Sequence, residues 1–176
     1  MIKKIIVKAH NKTKIEYLTE KDLKENKAYN KFQNKLNVIV GEYFILNNNI
    51  NIDTQILLGS CIAICIYDTN TGIYGVNHFL TPIGDNFRHG DYSINSMLSE
   101  MLKLGCNLEN LECKIYGGGK LTKLNLNHTN IGEMNADFAF EYMKNKKINV
   151  IHHIVKRNTG LQIIIKPNFK IITKEI

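Results

Sequence analysis

Apolar residues along the chain fall into short runs that are separated by polar turns. Residues 56–67 form the longest run, which a Gly-Ser pair interrupts, and residues 73–80 form the next one. Between them, residues 68–72 read Asp-Thr-Asn-Thr-Gly, a composition typical of the turn in a β-hairpin. The pattern therefore predicts an antiparallel hairpin. Residues 38–46 predict a further strand, which a glycine interrupts.

Two segments have the apolar periodicity of an amphipathic helix. Residues 91–104 predict the first helix, with Asp91 as its cap and Gly105 in the left-handed position after its end. Residues 133–147 predict the second, whose last turn carries lysines that suit the negative end of a helix. The predicted apolar stripes are Ile94, Met97, Leu98, Met101 and Leu102 in the first helix, and Met134, Phe138 and Tyr142 in the second.

The remaining apolar runs predict strands on both sides of these helices. Residues 112–116 lie between the helices and lead into three glycines, and β-like runs follow at 150–155, 161–165 and 170–173. Strand and helix do not alternate regularly, so the pattern favours an α+β fold over a doubly wound one.

The first 37 residues differ in composition from the rest, since they are rich in lysine and asparagine. We interpret residues 1–37 as an N-terminal extension, with a strand-like start and a loosely helical arm, and residues 38–176 as one domain. The chain has 176 residues, of which 44% are hydrophobic, and this is enough to bury a core without disulfides or metals.

The net charge of +7 favours acidic partners, but the lysines are spread among acids and asparagines. No RNA-binding signature is present, so a solvated lysine surface is favoured over a nucleic-acid site. The four cysteines include no C-x-x-C pair, and no apolar stretch has the length of a membrane span or a signal peptide. These features favour a reducing, cytoplasmic location without membrane insertion.

Candidate chemistry lies at the open end of the predicted hairpin. Cys61 follows a Gly-Ser elbow at the start of a strand, where a thiol nucleophile and backbone N–H donors for an oxyanion can occur together. A four-residue turn at 68–71 places Cys61 directly opposite His78, with Cβ atoms ~4.5–5.5 Å apart. An imidazolium at that distance lowers the pKa of a thiol below its usual ~8.5. A five-residue turn places Ile62 opposite instead, and a cysteine in an apolar run is also often only a small buried side chain.

Six blocks of sequence, in one order between residues 41 and about 150, resemble the CheD family. The combination of Leu-Gly-Ser-Cys with Asn-His-Phe is the specific part, because a glycine run by itself also suits a tight turn. The blocks are GEY at 41–43, LGSCIAICIYD at 58–68, GVNHFLTP at 75–82, RHGDY at 88–92, KIYGGG at 114–119 and NIGEMN at 130–135.

The resemblance implies a protein-glutamine glutaminase that converts glutamine side chains of methyl-accepting chemotaxis receptors to glutamate. It implies Cys61 as the nucleophile of a thioester mechanism and His78 as its base, with no metal or organic cofactor. The implied fold is a β-sheet sandwich flanked by helices, similar to that of bacterial deamidating toxins. The expected partners are the cytoplasmic helical region of the receptors and a CheC-type phosphatase.

The chain departs from the family pattern at the third catalytic residue. The family has a threonine five or six positions before the cysteine, where this chain has Ile56 and Gln55. The nearest threonine is Thr54, which we take as the candidate third residue, with Gln55 or a backbone carbonyl as alternatives. The family's C-terminal glycine pair is also absent, since residues 156–160 read Lys-Arg-Asn-Thr-Gly.

Two other hypotheses follow from the same residues. The displaced threonine is compatible with a non-catalytic, CheD-like adaptor that regulates a CheC-type phosphatase, and an apparent pKa of Cys61 at ~8.5 or above would favour it. A metal site would use His152, His153 and either Cys113 or His128. Adjacent residues on a strand point to opposite faces, which disfavours that site.

Overall fold

The structure is a computed structural model that describes residues 5–8, 16–18, 29–30, 34–48, 50–120 and 130–176. Within these residues the chain forms twelve strands and two α-helices, with a short 3-10 helix before the ninth strand. Their bounds are β1 Ile5–Lys8, β2 Glu16–Leu18, β3 Tyr29–Asn30, β4 Lys35–Asn37, β5 Glu42–Asn47, β6 Asp53–Leu58, β7 Ile62–Asp68, β8 Ile73–Phe79, α1 Gly90–Lys103, the 3-10 helix Leu108–Asn110, β9 Leu111–Gly117, α2 Ile131–Asn145, β10 Asn149–Val155, β11 Leu161–Ile165 and β12 Ile171–Glu175.

The strands form two sheets that pack face to face. The first sheet has the order β10-β9-β7-β8-β5-β1-β2, and the second has the order β12-β11-β6-β4-β3. One apolar core lies between the sheets, and a second lies between the first sheet and the two helices. This arrangement confirms the predicted α+β class and the sandwich flanked by helices.

The central strand β7 explains why the longest apolar run has no polar alternation. Its residues Ile62, Ile64 and Ile66 pack against the helices, whereas Ala63 and Cys65 pack against the second sheet. A strand that is covered on both faces needs apolar side chains at every position. The first sheet is therefore the middle layer of three.

The first helix agrees with its prediction to within one residue at each end. Gly105 follows it with φ +94°, the left-handed conformation expected after a helix. The predicted cap is wrong: His89 occupies the cap position without a side-chain hydrogen bond. Asp91 lies in the first turn, where its carboxylate accepts a hydrogen bond from the backbone N–H of Gly84.

The predicted apolar stripe of the second helix is confirmed only in part, since Phe138 and Tyr142 are partly buried against the core but Met134 is not. Met134 is 46% exposed, whereas small residues and one methionine face the sheet. The buried residues are Gly132, Asn135, Ala136, Ala139 and Met143. A Cβ placed on Gly132 would lie 2.6 Å from the carbonyl oxygens of Gly118 and Gly119, so the start of α2 approaches the glycine run closely.

The hairpin of β7 and β8 is present, but its predicted register is wrong by two residues. The turn occupies the four residues 69–72, and Ile62 pairs with Phe79 while Ala63 pairs with His78. Asp68 belongs to the strand because its carboxylate accepts hydrogen bonds from the N–H groups of Asn70 and Thr71, and this moves the turn one residue along the chain.

The N-terminal 37 residues contribute strands to both sheets. β1 pairs with β5 at the edge of the first sheet, and β4 pairs in parallel with β6 in the second. Leu36 of β4 is completely buried in the core between the sheets. The helical arm predicted here is wrong where the structure describes it, because these residues form β2, β3 and β4, and the rest lies outside the described residues. The helices within the described ranges are too short or too polar to cross a membrane.

Candidate active site

Cys61 lies in the bend that joins the two sheets. β6 of the second sheet ends at Leu58, and β7 of the first sheet begins at Ile62. The bend is fixed by the glycine run after β9, because the N–H of Gly118 donates to the carbonyl of Cys61 over 2.8 Å and that of Gly119 to the carbonyl of Gly59 over 2.8 Å. The thiol of Cys61 is half-buried at the edge of the core between the sheets.

The glycine run is required by the close approach of two backbones. Gly117 has φ +107°, and a Cβ placed there would lie 2.2 Å from the carbonyl oxygen of Cys61. No side chain fits that space, and a left-handed residue with a Cβ is strained besides. The three glycines therefore support the elbow of the candidate nucleophile.

His78 is near the end of β8 and is only 5% exposed. Its Nδ1 lies 3.0 Å from the backbone carbonyl oxygen of Val38. A carbonyl oxygen only accepts hydrogen bonds, so Nδ1 carries the proton in this contact and Nε2 carries a lone pair. Nε2 is buried and has no hydrogen-bond partner among the described residues.

The Val38 carbonyl is held in place by a tight turn between β4 and β5. The N–H of Glu42 donates to the carbonyl of Ile39 over 3.1 Å, and Gly41 has φ +83°, as this kind of turn requires. The carboxylate of Glu42 also accepts a hydrogen bond from the N–H of Ile39 over 3.1 Å. Gly41 donates to the carbonyl of His78 over 2.8 Å, so the turn is fixed to the strand that carries the histidine.

The observed register makes Cys61 and His78 diagonal neighbours rather than a directly opposed pair. His78 pairs with Ala63, two residues after the cysteine, and both Ala63 and Cys61 contact the core between the sheets. Diagonal neighbours of this kind are ~7–8 Å apart at their Cα atoms. The predicted hydrogen-bonded ion pair is therefore not formed, although thiol and imidazole lie on the same face.

The protonation states agree with a neutral pair. Burial raises the pKa of the Cys61 thiol, and its own backbone N–H and the charge of Arg88 oppose that effect only in part. Burial lowers the pKa of His78, against a smaller opposite effect of the Val38 carbonyl. At neutral pH these directions favour a thiol and a neutral imidazole over the thiolate and imidazolium that the directly opposed register predicts.

A cavity of about 740 Å³ opens beside His78. Arg88 supplies its positive charge, and Ile39 and Leu57 are exposed apolar residues on its wall. The lining residues are Asn37, Val38, Ile39, Val40, Gln55, Leu57, His78 and Arg88. An apolar cavity with a base, a cation and two carboxamides is suited to a polar side chain on an otherwise apolar partner.

Thr54 is not brought to this site. It is completely buried on β6, where its hydroxyl lowers the pKa of Tyr74, although burial raises that pKa overall to about 12. Tyr74 lies four residues before His78 on β8, which is ~13 Å along a strand. Gln55, the next residue, lines the cavity beside His78, and its Oε1 accepts a hydrogen bond from Lys35 over 3.3 Å.

Two residues of the site were not singled out as candidates from the sequence. Arg88 lines the cavity, and Asn135 of α2 donates hydrogen bonds to the carbonyls of Ser60 and Leu80 over 2.9 and 2.8 Å. Both belong to blocks that resemble CheD, RHGDY and NIGEMN. Their place in these blocks was the signal in the sequence. No local pattern distinguished Arg88 from an ordinary surface residue or Asn135 from an ordinary core residue.

The residues of the third hypothesis are dispersed. His152 and His153 contact rings on opposite faces of β10, namely Tyr116 and Phe140, and Cys113 is buried. His128 lies outside the described residues. Across the part of the chain that the structure describes, no three histidine, cysteine or acidic side chains are grouped so that they could hold a metal ion.

Comparison with protein families identifies a match that covers more than half of the chain. The family profile is described as CheD chemotactic sensory transduction, and it matches residues 81–174. The matched region contains the glycine run, both helices and the last strands.

Curated relatives match a larger share of the chain. "Probable chemoreceptor glutamine deamidase CheD" of Cupriavidus pinatubonensis is 34% identical over 125 residues, 65% of this chain and 56% of that protein. "Probable chemoreceptor glutamine deamidase CheD 1" of Dechloromonas aromatica is 36% identical over 121 residues, 65% and 59% of the two chains. A relative of the same name as the first, from Hydrogenovibrio crunogenus, is 31% identical over 141 residues, 74% of this chain and 71% of its own. The alignments thus span less than two thirds of the first two relatives' own lengths.

Proposed function

This chain belongs to the CheD family, and from that premise we propose that it deamidates glutamine side chains of chemoreceptors by a cysteine amidohydrolase mechanism. The products are a glutamate side chain and ammonia. The names of the relatives describe chemoreceptor glutamine deamidases, which supports the substrate class. The catalytic residues that we propose are Cys61 and His78.

The observation that carries the mechanism is the state of the His78 ring. The Val38 carbonyl keeps the proton on Nδ1, and burial keeps the ring neutral, so that Nε2 is a base with a free lone pair. A buried acceptor without a partner is costly, and at a functional site its partner is a reacting group. Cys61 is a diagonal neighbour of His78 on the same face of the sheet, and we assign its thiol proton to this acceptor.

In the first half of the reaction the thiol adds to the substrate carboxamide. Nε2 of His78 accepts the proton as Sγ of Cys61 attacks the carbonyl carbon, and backbone N–H groups near residues 59–62 stabilise the oxyanion. The tetrahedral intermediate collapses with cleavage of the C–N bond. The imidazolium gives its proton to the departing nitrogen, which leaves as ammonia, and a thioester remains.

In the second half the thioester is hydrolysed. Nε2 accepts a proton from water as the water oxygen attacks the thioester carbon, and the C–S bond then breaks. The proton returns from His78 to the sulfur, so the thiol and the neutral imidazole are restored. The sum is carboxamide plus water giving carboxylate plus ammonium, and no cofactor takes part.

Proton transfer needs a small rearrangement of the site. Nε2 and the sulfur are not hydrogen-bonded, and catalytic contacts of this kind often tighten only when substrate is bound. Filling the cavity beside His78 excludes water and strengthens the attraction of Arg88 for negative charge on the sulfur.

For the third catalytic role we propose the backbone carbonyl of Val38. It is the group in contact with Nδ1, and it supplies what a side-chain hydroxyl supplies in the family pattern, a fixed acceptor that orients the ring. Gln55 takes the neighbouring place on the cavity wall and is suited to contact the substrate. Thr54 has no part in this proposal.

The decisive test is mass spectrometry of receptor fragments incubated with the protein, together with ammonia measurement. The parent chain should convert specific glutamines to glutamates, and Cys61→Ala and His78→Ala should lose all measurable conversion while keeping the parent's circular dichroism. Cys106→Ala is a matched thiol control, since that cysteine contacts Thr71 at the other end of the hairpin. Conversion by Cys61→Ala at the parent rate would refute the mechanism.

One observation favours a second candidate, a non-catalytic adaptor that regulates a CheC-type phosphatase. The pKa of Cys61 is raised in the unliganded chain, as the adaptor hypothesis requires. The two candidates differ in the presence of substrate, because an enzyme then gains thiolate reactivity and an adaptor does not. Alkylation of Cys61 should therefore change with added receptor fragment only if the chain is an enzyme.

We also propose that the protein is cytoplasmic and that it binds the helical cytoplasmic region of the receptors and a CheC-type phosphatase. We further propose that residues 1–37 form an extension and residues 38–176 a deamidase domain. A pull-down with purified CheC-type phosphatase tests the phosphatase binding directly.

A further inference from the structure

Asn135 has the hydrogen-bonding geometry of a clamp between the two catalytic strands. It lies on the second turn of α2 and is completely buried. Its single Nδ2 donates one hydrogen bond to the carbonyl of Ser60 over 2.9 Å and another to the carbonyl of Leu80 over 2.8 Å. Ser60 directly precedes the candidate nucleophile, and Leu80 follows the candidate base by two residues.

We infer that Asn135 is a positioning residue, which sets the distance between Cys61 and His78 by tying the carbonyls of Ser60 and Leu80 to one nitrogen atom. The inference rests on the proposed function. Because the sulfur and Nε2 are not in contact in the unliganded chain, their separation depends on how the elbow and the end of β8 are held. Reacting groups misplaced by 1 Å can lose roughly 10²-fold in rate.

The chemistry of the contact requires a carboxamide. Both carbonyls only accept hydrogen bonds, and an NH2 group supplies two donors at one point. The Oδ1 atom of the same side chain is buried and has no partner within the described part of the chain. Packing alone would favour an apolar residue here, because an unpartnered buried acceptor costs free energy. The two hydrogen bonds that the NH2 group donates explain why an asparagine occupies this position.

The attachment of the helix does not depend on this side chain. Gly132 brings the first turn of α2 against the glycine run, and Ala136, Ala139 and Met143 pack in the core beneath the helices. Removal of the carboxamide should therefore loosen the site while the helix stays in place. This separates a positioning role from a structural one.

The informative substitution is Asn135→Asp, which keeps the shape but presents acceptors to both carbonyls. Asn135→Ser keeps one donor. Asn145→Asp is the matched control, since it makes the same change at an exposed position of the same helix. The measurements are kcat and KM for ammonia release from receptor fragments, thermal unfolding, and the rate of Cys61 alkylation by iodoacetamide against pH.

We expect kcat to fall roughly 10²-fold in Asn135→Asp and less in Asn135→Ser, with KM close to the parent value and a changed pH profile of alkylation. Asn145→Asp should match the parent. Parent kinetics and alkylation in a folded Asn135→Asp would overturn the inference, and so would failure of both position-135 variants to fold, since the residue would then hold the fold rather than the site. An inactive parent chain would refute the proposed function instead, and the alkylation profile still tests the clamp.

Discussion

At the scale of single residues, the environment of the imidazole sets the pH range in which the site can work. A general base must be neutral, and burial lowers the pKa of His78 from its ordinary 6.5. The thiol must hold its proton until attack, and burial raises the pKa of Cys61 from its ordinary 9.0. Both shifts widen the range in which the neutral pair is present.

We therefore expect kcat/KM for ammonia release to be level between pH 6.5 and 9.0 and to fall on the acid side as His78 takes up a proton below 6.5. A pH–rate profile in constant ionic strength measures this. An acid limb above pH 6.5 would contradict the lowered pKa of His78. A basic limb below pH 9.0 would instead indicate loss of the imidazolium proton from the thiolate–imidazolium pair that the directly opposed register predicts.

The identities of the candidate nucleophile and base could be proposed from the sequence, but their contacts could not. Cys61 and His78 stand out because residue type and local motif coincide there. The acceptor for Nδ1 is a backbone carbonyl 40 positions earlier in the chain, and a backbone atom has no sequence signature. Asn135 escaped notice for a similar reason, since helix periodicity weighs large apolar side chains and not a buried carboxamide.

The turn of Ile39–Glu42 is the element that carries the base's acceptor, and Glu42 is the side chain that closes it. Glu42→Gln keeps an oxygen that can accept from the Ile39 N–H, so activity should stay within about twofold of the parent. Glu42→Ala removes the acceptor and should lower kcat ~10- to 100-fold by freeing the Val38 carbonyl.

The difference in unfolding free energy between Glu42→Gln and the parent should depend on pH. Burial raises the pKa of Glu42 in the folded chain above its ordinary 4.5, so the folded state binds that proton more tightly than the unfolded state. Ionisation of Glu42 therefore lowers the parent's free energy of unfolding as the pH rises from 4.5 through the pKa of the folded state. Glu42→Gln has no such loss, and its stability relative to the parent should grow over that interval in urea unfolding. A constant difference would contradict this.

The glycine run offers a second test at the scale of an element. Gly117→Ala and Gly105→Ala both place a Cβ at positive φ, which costs about 1–2 kcal/mol. Gly105 has nothing within 4 Å of that Cβ, whereas at Gly117 it would meet the Cys61 carbonyl oxygen at 2.2 Å. Gly117→Ala should therefore lose a further ~1–3 kcal/mol in chemical denaturation.

Activity separates the same two glycines. Gly117→Ala moves the elbow and should abolish most ammonia release, while Gly105→Ala should keep the parent kcat at a temperature where it is folded. Equal losses of activity in the two variants would show that the elbow does not depend on the glycine run.

The helices and the strands from β7 onward were predictable to within two residues, because their apolar patterns are strong. The hairpin register was not predictable, because the Asp68 carboxylate accepts hydrogen bonds from backbone N–H groups of the turn. Asp68 thereby extends β7 by one residue, although composition assigns it to the turn. The fully buried residues of α2 were not predicted because close approach to the glycine run selects small residues, which hydrophobic periodicity does not weigh.

At the scale of the whole molecule, the first 37 residues are tied to the sandwich through Leu36. Leu36→Ala should cost ~2–5 kcal/mol, as for other fully buried leucines, while the partly exposed Leu102→Ala should cost much less. Urea unfolding of the two variants measures this. A loss at Leu36 no greater than that at Leu102 would show that burial of Leu36 adds little to the stability of the sandwich.

The fold class followed from the irregular order of strands and helices, but the assembly into two sheets did not. β4 and β10 pair in parallel with β6 and β9, strands that are distant along the chain, and such pairings leave no local pattern. The site lies at one end of this sandwich, so its full geometry needed the tertiary structure.

Two of the crossings between the sheets at that end carry the site, namely the bend before β7 and the turn before β5. The sulfur belongs to one crossing and the acceptor for the imidazole to the other. A sliding of the two layers past each other would therefore change both at once. A partner that binds the edges of both sheets would therefore set the turnover rate without entering the cavity.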